Sequence, residues 1–124
     1  MGFVHADLTL KNPRTDTDMK VRAMVDSGAL LLCIPQHVAL QLQLEGLEKR
    51  EVTLDDGKRQ LVPYVGPVQV QFANRRCFTG ALVLGDETLL GAVPMEDLDV
   101  LIDMARQLLI VNPDSPNIAV APVK

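Results

Sequence analysis

Asp26 lies at the junction of two apolar stretches. Met19, Val21, Ala23 and Val25 alternate with polar residues on one side, and Leu30-Leu31-Leu32-Cys33-Ile34 runs unbroken on the other. Burying a carboxylate is costly unless it is paired or its charge is neutralised, so a charge delivered to that junction needs a role that repays the placement. The chemistry open to it is proton transfer. Two carboxyls about 3 Å apart cannot both ionise, so one stays protonated and acts as an acid while the other activates a water. Asp26-Ser27-Gly28 is also an ordinary turn tripeptide, in which the carboxylate bonds its own backbone two residues on; a turn cap is the bland alternative.

The other reactive side chains compete poorly. Ser27 has no Gly-x-Ser-x-Gly around it, and neither His5 nor His37 has a clear orienting carboxylate, which argues against a serine hydrolase. Cys33-x-x-x-His37 is at most half of a metal site, because zinc sites normally show two close pairs. His37 reads as a surface histidine on the outer face of a helix. Cys33 and Cys77 both sit in apolar segments and read as reduced, buried thiols. No metal and no cofactor are expected.

The elements that must position Asp26 follow from hydrophobic periodicity. Val4, Ala6, Leu8 and Leu10 alternate with polar residues and predict a first strand, Lys11 to Asp18 a turn, and Met19 to Val25 a second strand that forms a hairpin with the first. Leu30 to Ile34 predicts a fully buried strand. Pro35 opens a helix that presents Val38, Ala39 and Leu42 on one face and stops at Gly46. Asp56-Gly57 between Glu51–Leu54 and Gln60–Val62 predicts a type I′ hairpin, with Pro63 ending the second arm early or confining it to an edge. A further hairpin turns at Asn74-Arg75-Arg76. Thr88 to Val93 reads as a strand in which Gly91 marks close backbone approach, and Pro94 opens a helix through Met95, Leu98 and Leu101. Leu108 to Val111 closes the pattern, and Ile118 to Ala121 could add a strand. About eight short strands and two helices predict a mainly β fold, a barrel or sandwich, in one domain over residues 1–124 with 113–124 as an irregular tail.

Asp26-Ser27-Gly28-Ala29 at a strand end, the helix at Pro35, the hairpin at Asp56-Gly57 and Leu89-Leu90-Gly91 before a short helix together resemble the retropepsin-like aspartic proteases over residues 3 to about 112. The resemblance implies a mainly β acid-protease barrel and an aspartic endopeptidase cleaving an extended polypeptide. Because the chain carries one Asp-Ser-Gly, the pair of carboxyls would be two copies of Asp26 across the twofold axis of a homodimer. It further implies a hydrogen bond across the dimer from the Ser27 hydroxyl and a backbone approach to the carboxylates at Gly28. It places Leu90 and Gly91 behind the Asp26 loop. Asp56, Gly57 and Lys58 would be the tip of a flap over the substrate. Ser27 stands where the family more often has Thr, and Ala92 where viral members carry Arg. The alternative function is a dimeric module of the same fold that binds an extended peptide without cutting it.

Composition narrows the partners. The chain has 124 residues, 48% hydrophobic and 3% aromatic with no Trp, so its core is aliphatic. Net charge is −4 with Lys and Arg scattered, which argues against nucleic acid as a partner. Glu48-Lys49-Arg50-Glu51 reads as solvated surface. No apolar run is long enough to span a bilayer, Met1-Gly2 is followed by Ala6 where an acylation motif takes Ser or Thr, and no secretory signal stands at the N-terminus. The expectation is a cytoplasmic protein with no membrane partner.

Overall fold

The structure, a computed structural model, describes residues 3–123; Met1, Gly2 and Lys124 lie outside them. Nine strands and two helices follow one another among those residues. They are β1 (His5–Asn12), β2 (Thr17–Val25), β3 (Leu32–Ile34), α1 (Gln36–Gln41), β4 (Glu45–Thr53), β5 (Arg59–Phe72), β6 (Arg75–Val83), β7 (Leu89–Leu90), α2 (Ala92–Leu98), β8 (Val100–Asp103) and β9 (Leu108–Val111). Strand makes up 51% of the described residues and helix 11%, which places the fold in the mainly β class.

The principal sheet runs β1-β2-β7-β3-β6-β5-β4, and an added pairing of β1 with β5 closes β1, β2, β7, β3, β6 and β5 into a ring. Closure removes open edges; β4 alone hangs outside the ring as the free arm of the β4–β5 hairpin. Two pairs are parallel, β2 with β7 and β3 with β6. The alternation of β1 puts Ala6, Leu8 and Leu10 inside, where they pack with Ala23, Val68 and Val70 in an aliphatic core. The β8–β9 hairpin forms a separate two-stranded sheet, laying Val100 and Leu109 on the same core.

Several expectations need correction. The buried strand expected over Leu30 to Ile34 is only Leu32–Ile34, and Leu30 is exposed, because the carbonyls of Ala29 and Leu30 are taken by the N–H groups of Ala92 and Val93 at 2.8 and 2.9 Å. For the same reason the strand expected from Thr88 to Val93 ends at Leu90, and α2 begins at Ala92, before Pro94. It ends at Leu98, so Leu101 belongs to β8. Helix α1 ends well short of Gly46, which lies in β4: buried Asn12 donates from Nδ2 to the carbonyls of Leu42 (2.9 Å) and Gln43 (3.1 Å), capping the helix from a strand thirty residues away.

Strand β5 does not stop at Pro63. From Arg59 to Pro63 it pairs with β4 alone, since pairing with β6 starts only at Tyr64, so Pro63 stands at an edge, as the other half of the expectation had it. The turn expected at Asn74-Arg75-Arg76 is made by Ala73 and Asn74, with Arg75 the first residue of β6 and buried. No strand forms over Ile118 to Ala121. No helix among the described residues is long and apolar enough to cross a membrane.

Candidate active site

Strand β2 delivers Asp26 to the end of a sheet position that it shares with β7. Met24 and Val25 pair in parallel with Leu89 and Leu90, and the Asp26 N–H donates to the Leu90 carbonyl at 3.0 Å. The chain then turns: Ala29 N–H donates to the Asp26 carbonyl at 3.1 Å, and Gly28 N–H donates to Asp26 Oδ1 at 2.9 Å. A Cβ at Gly28 would lie 3.2 Å from that oxygen, tighter than most such contacts. The carboxylate is half-buried, and Ser27 and Gly28 beside it are exposed.

Behind this loop stands the first turn of α2. Its first two N–H groups, on Ala92 and Val93, have no partner inside the helix and donate to the loop carbonyls of Ala29 and Leu30. Such close contact requires glycine at 91. A Cβ there would fall 2.3 Å from the Leu31 carbonyl oxygen and 2.8 Å from that of Ala29. Leu90, fully buried, packs beneath. Leu89-Leu90-Gly91 therefore sets the loop that carries Asp26.

Asp26, Gly28 and Ala29 open on a cleft of about 670 Å³. Its floor is lined by Leu31, Cys33, Leu82, Leu84 and Leu89, which pack on buried Val62 in a small apolar cluster apart from the main core. Its other wall is the β4 arm from Arg50 to Asp55. The strand alternation turns Arg50, Val52 and Leu54 to the half-buried side and Glu51 and Thr53 outward.

The expected flap tip, Asp56, Gly57 and Lys58, lies beyond that wall and does not line the cleft. Its turn is not type I′ either. Gly57 alone among the tip residues has a positive φ, 84°, and Gly57 N–H donates to the Leu54 carbonyl while Leu54 N–H donates to that of Lys58, giving a three-residue loop. Asp56 Oδ1 accepts from Lys58 N–H at 2.9 Å. The alternation of Arg50, Val52 and Leu54 was the signal for the wall, obscured by the charges of Glu48-Lys49-Arg50-Glu51.

Cysteine chemistry has no support here. Burial pushes the Cys33 thiol up, and the Asp26 charge adds to it; burial, aided by Asp97, pushes Cys77 up to about 12. Neither gives the thiolate a nucleophile needs. Both cysteines are free and buried, and His37 is exposed on α1. No group of three metal-ligating side chains gathers among the described residues.

No protein-family model and no curated protein matches the sequence. Among solved structures, the retroviral protease-like domain of Ddi1 from Leishmania major superposes with a TM-score of 0.63 at 15% identity, covering 91% of this chain and 90% of that one. The fold is retropepsin-like. The protease of simian foamy virus (TM-score 0.46, 22% identity, 72% of this chain and 90% of that one) and a protein of unknown function, Lpg0085 of Legionella pneumophila (0.47, 14%, 77% and 86%), superpose less closely. At these identities the likeness is one of fold.

Proposed function

We propose that the chain is an aspartic-type endopeptidase, active as a homodimer, that hydrolyses a peptide bond within an extended polypeptide. The observation that carries this reading is Asp26 itself: a carboxylate held by one N–H, at the mouth of an apolar cleft, on a loop that α2 and Gly91 clamp from behind. The chain has one Asp-Ser-Gly, so the second carboxyl comes from the partner copy, with the two Asp26 side chains facing across the twofold axis.

In that pair one carboxyl is protonated and the other ionised. The ionised one takes a proton from a water as the water attacks the scissile carbonyl carbon, and the protonated one gives its proton to the carbonyl oxygen. Collapse of the tetrahedral intermediate breaks the C–N bond: one of its hydroxyls gives a proton to the ionised carboxyl as the carbonyl re-forms, and the protonated carboxyl gives its own to the leaving amine, which restores the one-proton pair. Ser27 and Gly28 hold the two loops, Leu90 and Gly91 back them, and the hairpin ending in Asp56, Gly57 and Lys58 covers the bound strand.

The test joins digestion to sedimentation. Wild type cleaves an unfolded protein and sediments as a dimer; Asp26→Asn sediments the same way and cleaves nothing. Cleavage that survives Asp26→Asn, or a strict monomer that still cleaves, removes the reading. A second reading, a dimeric peptide-binding module that does not cut, is favoured by one observation: the tip residues stand outside the cleft wall. Retained peptide binding with no wild-type cleavage would select it.

A further inference from the structure

Among the described residues that line the cleft, Arg50 is the one cation. Its guanidinium is held on two sides. The carbon lies 4.0 Å from the centroid of the Tyr64 ring, and Nε donates to Glu48 Oε2 at 2.9 Å. The Tyr64 ring in turn occupies a slot that exists because residue 80 is glycine: a Cβ there would fall 2.2 Å from Tyr64 Cζ and 2.4 Å from its hydroxyl oxygen. Gly80, Tyr64 and Glu48 thus place a planar cation on the cleft side of β4, still 42% exposed, with both terminal nitrogens unengaged by other described residues.

From this arrangement we infer that Arg50 selects the substrate, its free guanidinium edge taking a carboxylate of an extended peptide whose neighbouring apolar side chains fill the floor of Cys33, Leu82, Leu84 and Leu89. The inference rests on the cleft being a peptide site. A planar fork pre-set by stacking loses little freedom when it closes on a carboxylate in two parallel hydrogen bonds, a geometry that ammonium cannot copy. The remaining charges give the choice a direction. Glu51 is engaged by Arg59 at 3.5 Å, whereas Asp26 and, at the tip end of the same wall, Asp55 carry no ion pair among the described residues and repel an acid from their parts of the cleft. A peptide carboxylate is admitted at the Arg50 end. It belongs either to an acidic side chain or to a chain terminus.

Binding to Asp26→Asn protein tests this without turnover. The probes are fluorescein-labelled apolar hexapeptides with one Glu moved along the sequence and an amidated C-terminus, their Gln twins, and a set without Glu that ends in a free carboxylate or an amide. The best Glu peptide should bind about tenfold more tightly than its Gln twin. Addition of Arg50→Gln should close the gap to within about twofold, and Arg50→Lys should recover little of it. Tyr64→Phe, which keeps the ring, should preserve the preference, and Tyr64→Leu should narrow it. A free-terminus effect larger than the Glu effect assigns the carboxylate to a chain end; the converse assigns it to a side chain.

Equal binding of acid and neutral peptides throughout, a preference that survives Arg50→Gln in a protein with an unchanged melting curve, or no binding of any probe overturns the inference. Cleavage assays on the protein with Asp26 intact keep the two claims apart. An Arg50-dependent preference in a protein that cuts nothing removes only the endopeptidase reading. Cleavage with no such preference removes only this one.

Discussion

Asp26 and Asp99 both sit at strand ends, and their surroundings differ. Asp26 Oδ1 accepts one hydrogen bond, from Gly28 N–H at 2.9 Å, and its side chain opens on the cleft. Asp99 accepts from Asn112 Nδ2 at 3.0 Å, from the Ser115 hydroxyl and from Val120 N–H at 2.9 Å, and lies 3.7 Å from Arg75 Nη2. It also holds a left-handed φ of 56°, uncommon outside glycine. Three donors take up most of the carboxylate's acceptor sites and tie residues 112–120 to the end of α2. A carboxylate with one donor, at the edge of a cavity, keeps lone pairs for a water or a substrate. By donor count, Asp99 is spent on structure and Asp26 is left open to the cleft.

Exchanging acid for amide at each site sharpens the contrast most. Asp26→Asn should abolish detectable hydrolysis, a loss of at least the about 10²–10⁴-fold ascribed to a positioned acid or base, while thermal stability stays within about 0.5 kcal/mol. The amide oxygen can still accept from Gly28 N–H, so the turn survives. Asp99→Ala should do the reverse, leaving the Asp26 site in place but lowering the Tm, since it strips the acceptor from three donors and leaves the Arg75 charge buried without a counter-ion. Melting curves read beside a cleavage assay decide both; an Asp99→Ala protein as stable as wild type breaks the comparison.

Gly91→Ala should damage both properties at once. The new Cβ meets the carbonyl oxygen of Leu31 at 2.3 Å, a backbone atom that yields only if the Asp26 loop moves. Overpacking of this kind costs about 1–3 kcal/mol, and on the proposed mechanism a shift of the Asp26 loop by about 1 Å would cost on the order of 10²-fold in rate. A Gly91→Ala protein with wild-type activity would show that the loop does not need α2 behind it.

The Asp26 side of this comparison was legible in the sequence because its determinants are local. The alternation of β2, the turn chemistry of Ser27-Gly28 and the glycine at 91 each speak within a few residues. The Asp99 side was not, because its partners lie 13 to 21 residues downstream in a tail that has no periodicity, and Arg75 lies in another strand. Arg75 read as a turn residue because charged residues are almost never fully buried unless paired, and the pairing is tertiary. Asn12 capping α1 and Gly80 making room for Tyr64 escaped notice for the same reason: each is a long-range contact whose only local trace is one polar or small residue in a strand. The hairpin tip was misread through its Asp-Gly signal, which three-residue loops share with type I′ turns.

Acid offers a graded version of the same test. Hydrogen bonds from Ser115, Asn112 and Val120 N–H hold the Asp99 carboxyl down to about 2, against an ordinary value of 3.8. A group whose folded pKa lies below its unfolded one contributes stability that is fully present above the unfolded value and is lost as pH falls through the folded one. That contribution is therefore intact above about pH 4 and disappears toward pH 2. The Tm of wild type should fall more steeply across that window than that of Asp99→Asn, which has no proton to gain. Parallel curves would mean that the tail is not held by the ionised form.

The smallest effect is expected at Arg75, for a reason particular to this site. The side chain is 1% exposed, with Nη2 donating to the Ser115 carbonyl, yet Nε and Nη1 have no partner among the described residues. Two orphaned donors on a buried cation offset much of what the remaining contacts contribute. Arg75→Met keeps the aliphatic stem and removes both orphans. Asp99 loses only its 3.7 Å neighbour and retains three donors. Stability should stay within about 1 kcal/mol of wild type, measured by urea titration, even though Asp99→Ala on the other side of the pair is costly. The asymmetry is what a donor-saturated carboxylate beside an under-satisfied cation requires, and a large loss in Arg75→Met would assign the anchoring of the tail to the arginine instead.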